Sequence, residues 1–254
     1  MPLLKKFFRW NVALSRTFDS AFLNESYTTY GTADFHKSLI PTYITPRALI
    51  YDIGGGKCPH IFPALKAERA LTTVGVDIDA EQLARAPDGG YDRTVCADIT
   101  KTTGTGDGDF IISRATLEHV QDARSALLNM KTFLKDGGRM IFFAPCKNAW
   151  FARLNMILPE GFKNRLIRYF YTDDGLADVM GFKAYYSHGT PRQIEAILAD
   201  ANLTIIEKRL YYMSNYFAFF TPLHVVWRVY QVLMRTLGTE SFCEGFAYVV
   251  EKRG

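Results

Sequence analysis

The sequence predicts an α/β fold: a doubly wound, seven-stranded sheet, mostly parallel, with its last strand antiparallel. Three observations predict it. Short apolar runs alternate with helical patterns from Ala48 onward, the order that builds a parallel sheet covered on both faces. A glycine-rich turn, "YDIGGGKCPH" (51–60), follows the first of these runs. The chain has 254 residues, 48% of them hydrophobic and 22% charged, enough for one large domain with an appendage.

The elements follow in order. "ALIYDIG" (48–54) reads as a buried strand and "HIFPALKAERA" (60–70) as a helix. "TTVGVD" (72–77) is a second strand, "AEQLARA" (80–86) a short helix and "DRTVCAD" (92–98) a third strand. The Gly/Thr-rich loop at 100–109 leads into a fourth strand, "DFIISR" (109–114). In "DARSALLNMKTFLKDGG" (122–138), Ala123, Ala126, Leu127, Met130, Phe133 and Leu134 form one apolar stripe, and Gly137 is a natural C-terminal stop. "RMIFFAP" (139–145) is the fifth strand. "TPRQIEAILADAN" (190–202) is a helix with Thr190 as cap, Pro191 in the first turn and Gln193 completing a capping box. Strands six and seven are "LTIIEKRLYY" (203–212) and "GFAYVVEKR" (245–253). Residues 1–47 read as an N-terminal helical arm and 48–254 as the domain, with insertions at 146–189 and 213–244. Insertions of that length in a compact domain are usually functional, and these two are rich in aromatics.

Composition excludes several classes. A net charge of +4 with no Lys/Arg block argues against nucleic acid. Cys58, Cys96, Cys146 and Cys243 are scattered without a CxxC pair, so no metal centre is expected and a reducing, cytoplasmic setting is. Residues 1–20 lack the apolar run of a signal peptide. Leu3, Phe7, Trp10, Leu14 and Phe18 recur at helical spacing there, and Lys5, Lys6, Arg9 and Arg16 are the charges before Asp19. Two readings fit: a helix lying on an anionic membrane, or a helix packed on its own domain. Residues 211–227 carry no formal charge, His224 aside, yet Ser214, Asn215 and Pro222 break them too often for a membrane span. Peripheral contact through 1–20 and 213–237, at the inner face of a membrane, is the expectation.

The glycine turn decides the cofactor. A dinucleotide site wants G-x-G-x-x-G, and Pro59 stands at the third glycine position. Asp52 would also add like charge beside a pyrophosphate. S-adenosylmethionine has no phosphate and carries an ammonium, which Asp52 can hold directly or through water.

Here the chain resembles a family. Residues 48–144 are similar to class I S-adenosylmethionine-dependent methyltransferases, most of all to the small-molecule enzymes of the ubiquinone-biosynthesis type, whose sheet is Rossmann-like. "YDIGGGK" resembles the family's first motif, and "VGVDID" and "CADI" resemble the ends of strands two and three. "DFIISRATLEHVQD" resembles the fourth-strand motif and "FLKDGG" the turn before strand five. The resemblance implies a cofactor site of Asp52, Gly54, Gly55, Gly56, Asp77, Ile78, Asp98, Ile99 and Ser113. Asp77 would bind the ribose hydroxyls and Asp98 the adenine amino group. Asp77 as a helix cap and Asp98 as a plain turn residue stay open. Cys58 replaces the motif's last glycine and reads as a small space-filler. His119 is the candidate base for methyl transfer, Glu118 its candidate orienter, and Arg114 and Ser113 face the same region. The acceptor is expected to be a small molecule, lipid-like or a lipid-linked saccharide. An NAD(P)-dependent oxidoreductase and a non-catalytic, membrane-associated scaffold of the same fold remain as alternatives.

Overall fold

The structure, a computed structural model, describes residues 2–23, 29–157 and 183–254. Its centre is one seven-stranded sheet in the order β3-β2-β1-β4-β5-β7-β6. The strands are β1 (Leu49–Ile53), β2 (Thr72–Asp77), β3 (Arg93–Cys96), β4 (Gly108–Arg114), β5 (Leu134–Pro145), β6 (Leu203–Tyr211) and β7 (Gly245–Lys252). β7 runs antiparallel between β5 and β6, and the pairs from β3 through β5 are parallel. Strand order reverses at β1 and β4, so the loops after these two strands open beside one another at the carboxyl edge.

The inner strands are apolar on both faces because both are covered. Ile50, Ile112, Ile141, Ala247 and Val249 face one core cluster, and Tyr51, Ile53, Ile111, Phe142 and Tyr248 face the other. This is period-two alternation, with both halves buried. β3 differs: all four of its residues are exposed, as its place at the sheet edge dictates.

Residues predicted as an arm separate into two parts. α1 (Pro2–Phe22) packs on the helix α9 (Thr221–Thr236). α2 (Gly31–Asp34) runs through a π-helical turn (Phe35–Leu39) into α3 (Ile40–Tyr43). Phe35, Leu39, Ile40 and Ile44 are buried in the second cluster, so this part belongs to the domain's core. The sheet offers a wide apolar face there, and four large side chains at helical spacing cover it.

Other boundaries move for local reasons. α4 (Pro63–Arg69) has Pro63 in its first turn, and 60–62 remain irregular. α5 (Ala80–Ala84) is capped by Asp79, whose Oδ1 accepts from the Glu81 and Gln82 amides. α6 (Ala123–Phe133) stops four residues before the expected stop at Gly137, because Leu134 already pairs with Gly108. The next pair is Phe110 with Arg139, so residues 135–138 form a bulge in β5, and Gly137 adopts a φ of 75° there. α7 (Trp150–Ile157) lies in the first insertion, and residues 158–182 of that aromatic-rich insertion lie outside the described residues. α8 (Pro191–Asp200) has Thr190 at its cap position, but the capping box does not form: Thr190 Oγ1 donates to Gln193 Oε1 at 3.0 Å instead.

Candidate active site

The turn after β1 leaves the sheet through Gly54 and Gly56, both in the left-handed region at φ 78° and 50°. Glycine adopts that conformation without strain. Gly54 also lies under Thr116, whose hydroxyl donates to the Ile53 carbonyl at 3.2 Å, so the loops after β1 and β4 interlock. Gly55 needs no special φ but has no room: a Cβ there would stand 2.6 Å from Asp52 Oδ1 and on top of the Tyr91 hydroxyl. A Cβ on Gly56 would meet Asp77 Oδ2 at 3.3 Å. Cys58 is exposed, and its amide closes the turn on the Gly55 carbonyl at 2.8 Å. Pro59 lies in the irregular segment before α4 and not in a helix's first turn.

Asp52 is the buried acid of this turn, 1% exposed. Its Oδ2 accepts the His60 amide at 2.6 Å, and its Oδ1 lies 2.6 Å from His60 Nδ1 without hydrogen-bond alignment. His60, the last residue of "YDIGGGKCPH", therefore holds the acid in place. His36 stands behind it, with Nδ1 3.2 Å from the His60 carbonyl. Burial, then the positive charge of Arg114, pushes His36 down to about 4. It is neutral at physiological pH, and the carbonyl selects the tautomer with a proton on Nδ1.

Asp77 ends β2, half buried, and its Oδ1 accepts the Asp79 amide at 3.0 Å. Burial raises its carboxyl above the ordinary value. Capping of α5 falls to Asp79, which leaves Asp77 Oδ2 beside the glycine turn. Ile78 is 62% exposed next to it. Asp98 makes an Asx turn: Oδ1 accepts from the Thr100 amide at 2.9 Å and hydroxyl at 2.7 Å, and Oδ2 lies 3.2 Å from Lys101 Nζ. The Thr100 hydroxyl is the main cause of its lowered carboxyl. The Ile99 side chain is buried in the core, and its carbonyl accepts from Asn129 at 3.0 Å, so that side chain points away from the turn's ligand face.

Ser113 and Arg114 end β4, with Ser113 paired in register with Ile53. The chain then turns at Ala115, φ 55°, and delivers Glu118 and His119. Glu118 is buried, and burial pushes its carboxyl up to about 8, so it is protonated at neutral pH. His119 Nδ1 lies 3.2 Å from the Lys183 carbonyl, which makes Nδ1 the proton donor and leaves Nε2 as the basic atom. Burial lowers the His119 pKa, so the ring is neutral near pH 7. Glu118 Oε1 is 3.9 Å from Nε2, too far to orient the ring by a hydrogen bond.

The fit to the expected cofactor can be judged from the polar atoms. Asp52 Oδ1, the Tyr91 hydroxyl, Ser113 Oγ and Arg114 Nε are buried without hydrogen-bond partners. Buried polar groups are normally satisfied, and a ligand is one way to satisfy them. Asp52 Oδ1 and the Tyr91 hydroxyl crowd the Gly55 position of the turn, and Ser113 pairs with Ile53 at its base. A cationic amino-acid end fits an acid and a hydroxyl, and phosphates would not. Tyr91 was not legible as a site residue. Its ring fills the space over Gly75 in β2, and that missing side chain was the available signal. Among the described residues, no group of three His, Cys, Asp or Glu side chains is arranged to hold a metal.

The sheet order and this turn define the fold of S-adenosylmethionine-dependent methyltransferases. A family model described as "Methyltransferase domain" matches residues 29–208, more than half of the chain, and the protein belongs to that family. It is an S-adenosylmethionine-dependent methyltransferase. Solved structures share the fold at low identity. A methyltransferase from Methanosarcina mazei aligns at TM-score 0.52 and 17% identity, over 85% of this chain and 97% of its own. Phosphoethanolamine N-methyltransferase 2 of Haemonchus contortus aligns at TM-score 0.54 and 15% identity, over 96% of this chain and 57% of its own. Geranyl diphosphate C-methyltransferase of Streptomyces coelicolor aligns at TM-score 0.54 and 13% identity, over 87% of this chain and 79% of its own. No curated protein matches.

Proposed function

We propose that this methyltransferase acts on a lipid-like small molecule, with the cofactor held along the carboxyl edge of β1, β2 and β4. The buried Tyr91 hydroxyl and Ser113 Oγ, which lack hydrogen-bond partners, support the cofactor's placement above all, together with Asp52 Oδ1, which makes no aligned hydrogen bond though it lies 2.6 Å from His60 Nδ1. In this reading Asp52 and Tyr91 hold the amino-acid end, with Ser113 beside them. Gly54, Gly55 and Gly56 let the backbone approach. Asp77 takes the ribose hydroxyls, and Ile78 and the Asp98–Ile99 backbone flank the adenine. S-adenosylmethionine supplies an electrophilic methyl group on a sulfonium.

The protein's own task is alignment and proton removal. His119 is the proposed base. Its Nδ1–H is committed to the Lys183 carbonyl, burial keeps its ring neutral near pH 7, and about a third of the side chain is exposed. Arg114, at the end of β4, brings positive charge close enough to favour ionisation of Glu118. Exposed aromatics on α1 and α7 (Trp10, Trp150, Phe151) support a greasy acceptor. An ubiquinone-type ring and a lipid-linked saccharide both belong to that class.

Titration calorimetry with S-adenosylhomocysteine tests the site. The protein should bind, and Asp77→Ala should weaken binding at least about tenfold, the effect of losing one good hydrogen-bonded pair of hydroxyls. Equal binding by Asp77→Ala would remove the ribose assignment, and no binding by the native chain would favour the scaffold reading. The oxidoreductase reading is set aside by the family match.

A further inference from the structure

α1 and α9 are built inside out. On α1 the residues turned inward are Asn11, Ser15 and Asp19, four apart and all buried. On α9 they are His224, Trp227, Arg228 and Gln231. Asp19 takes two hydrogen bonds from Arg228, 2.8 Å from Nε and 2.7 Å from Nη2, and lies 2.9 Å from His224 Nε2. Asn11 Oδ1 accepts the Thr221 amide at 3.0 Å, and Ser15 donates to the Ala218 carbonyl at 3.0 Å. Gln231 and Trp227 both donate to Ser214 Oγ. The seam between the two helices is polar.

Their outward faces are the reverse. α1 shows Leu3, Phe7, Trp10 and Leu14, with Leu3 83% and Trp10 62% exposed. α9 shows Leu223, Val226, Val229 and Leu233, followed by Leu237 just past its end, with Val226 66% and Val229 63% exposed. A soluble helix normally turns such a stripe inward. The two helices adjoin, and Phe8 of α1 also meets Phe219, just before α9, with ring centroids 5.9 Å apart. Polar groups inside and apolar groups outside form the stable arrangement when the surroundings are less polar than the seam.

We infer that the outward faces of α1 and α9 together seat the protein on an anionic lipid bilayer, α1 lying in the interface. Charge selects this occupant. Lys6, Arg9 and Arg16 are exposed on α1, and no acid occurs from 1 to 18 or from 211 to 239. Asp19, the first acid, is buried and neutralised by Arg228. Cations flanking an apolar stripe match anionic headgroups over acyl chains. A second copy of the chain would bring the same cations face to face and is disfavoured. No helix of the described residues is long and apolar enough to cross a membrane, so the contact is interfacial. This deepens the lipid-acceptor reading: the substrate would be met at the surface on which the enzyme sits.

The full chain is sedimented with vesicles of phosphatidylcholine plus phosphatidylglycerol, and with phosphatidylcholine alone. It should bind the anionic vesicles better, and added salt should weaken that preference. A chain carrying Phe7→Ser, Trp10→Ser, Val226→Gln and Val229→Gln should lose at least about tenfold in partitioning, since each lost side chain forfeits part of its apolar transfer energy. Its affinity for S-adenosylhomocysteine should not change, which shows that the variant is folded. The inference is overturned if the native chain binds neither vesicle, if the variant binds as well as the native chain, or if velocity sedimentation shows a native dimer that the variant converts to monomer. Loss of cofactor binding with vesicle binding intact would instead count against the catalytic reading alone.

Discussion

Asp19→Ala is the most informative single change outside the catalytic centre. It removes two hydrogen bonds and one full charge from Arg228, which is 2% exposed, and one hydrogen bond from His224, which is fully buried. Burial alone would raise the Asp19 carboxyl, but Arg228 and His224 hold it below the ordinary value. Removing one partner of a buried pair typically costs about 3–5 kcal/mol, because the other charge is left uncompensated. In a chain of this size that corresponds to a fall in Tm of roughly 6–20 °C if the loss is global. If α1 undocks first, the loss appears locally: amide exchange in 2–22 speeds up while the sheet stays protected. Scanning calorimetry with hydrogen-exchange mass spectrometry separates the two. A combined Asp19→Leu, Arg228→Met chain should recover most of the stability, since apolar replacement of a buried pair is often near neutral. The sign with pH follows from the lowered carboxyl: the clamp's contribution is present above the unfolded value near 4 and is lost as pH falls through the lower folded value. Unchanged Tm together with unchanged exchange in α1 would refute the clamp.

The remaining predictions concern the site. Gly55→Ala should weaken S-adenosylhomocysteine binding at least about tenfold, because its methyl displaces the Tyr91 hydroxyl and crowds Asp52; calorimetry reads it, and normal affinity would mean the turn is not the cofactor's seat. His119→Gln should lower kcat by roughly 10²–10⁴-fold with cofactor affinity retained. The native rate should fall only as pH drops below the ordinary histidine range, since burial lowers the His119 pKa; a mutant with native kcat removes its role as base. Glu118, pushed up to about 8, is neutral in the fold at neutral pH. Its raised value makes native stability decline as pH climbs from the ordinary glutamate range through 8, so Glu118→Gln should flatten that decline in urea titrations.

The regular part of the fold was legible because it rests on local patterns. Alternating apolar runs found all seven strands. The sequence pattern could not end α6, because Leu134 continues the helical stripe and only pairing with Gly108 turns it into a strand. Nor could it show that 35–44 cover the sheet, since the same apolar spacing suits an arm. In the site, acids and glycines were visible from their types. His60 and Tyr91 were not, because both act through contacts across 8 and 39 positions, His60 on Asp52 and Tyr91 over Asp52 from its seat on Gly75. The periodicity of α1 gave the right stripe but not its direction. Only Asn11, Ser15 and Asp19, read as a second stripe with partners on α9, show which side is inward.

The placement of β7 sets the order in which this molecule can be finished. Its residues 247–250, none of them exposed, fill the slot between β5 and β6. Until they arrive, β6 has no neighbour in the sheet, and β5 ends as an open edge. α9 lies in the chain between β6 and β7, so the seam that receives α1 is also made of late segments. Contacts that span so much of the chain close slowly. A ribosome-bound chain not yet made through Lys252 would therefore expose both the unfilled slot and the apolar helices at once, the stage at which a chaperone has most to cover.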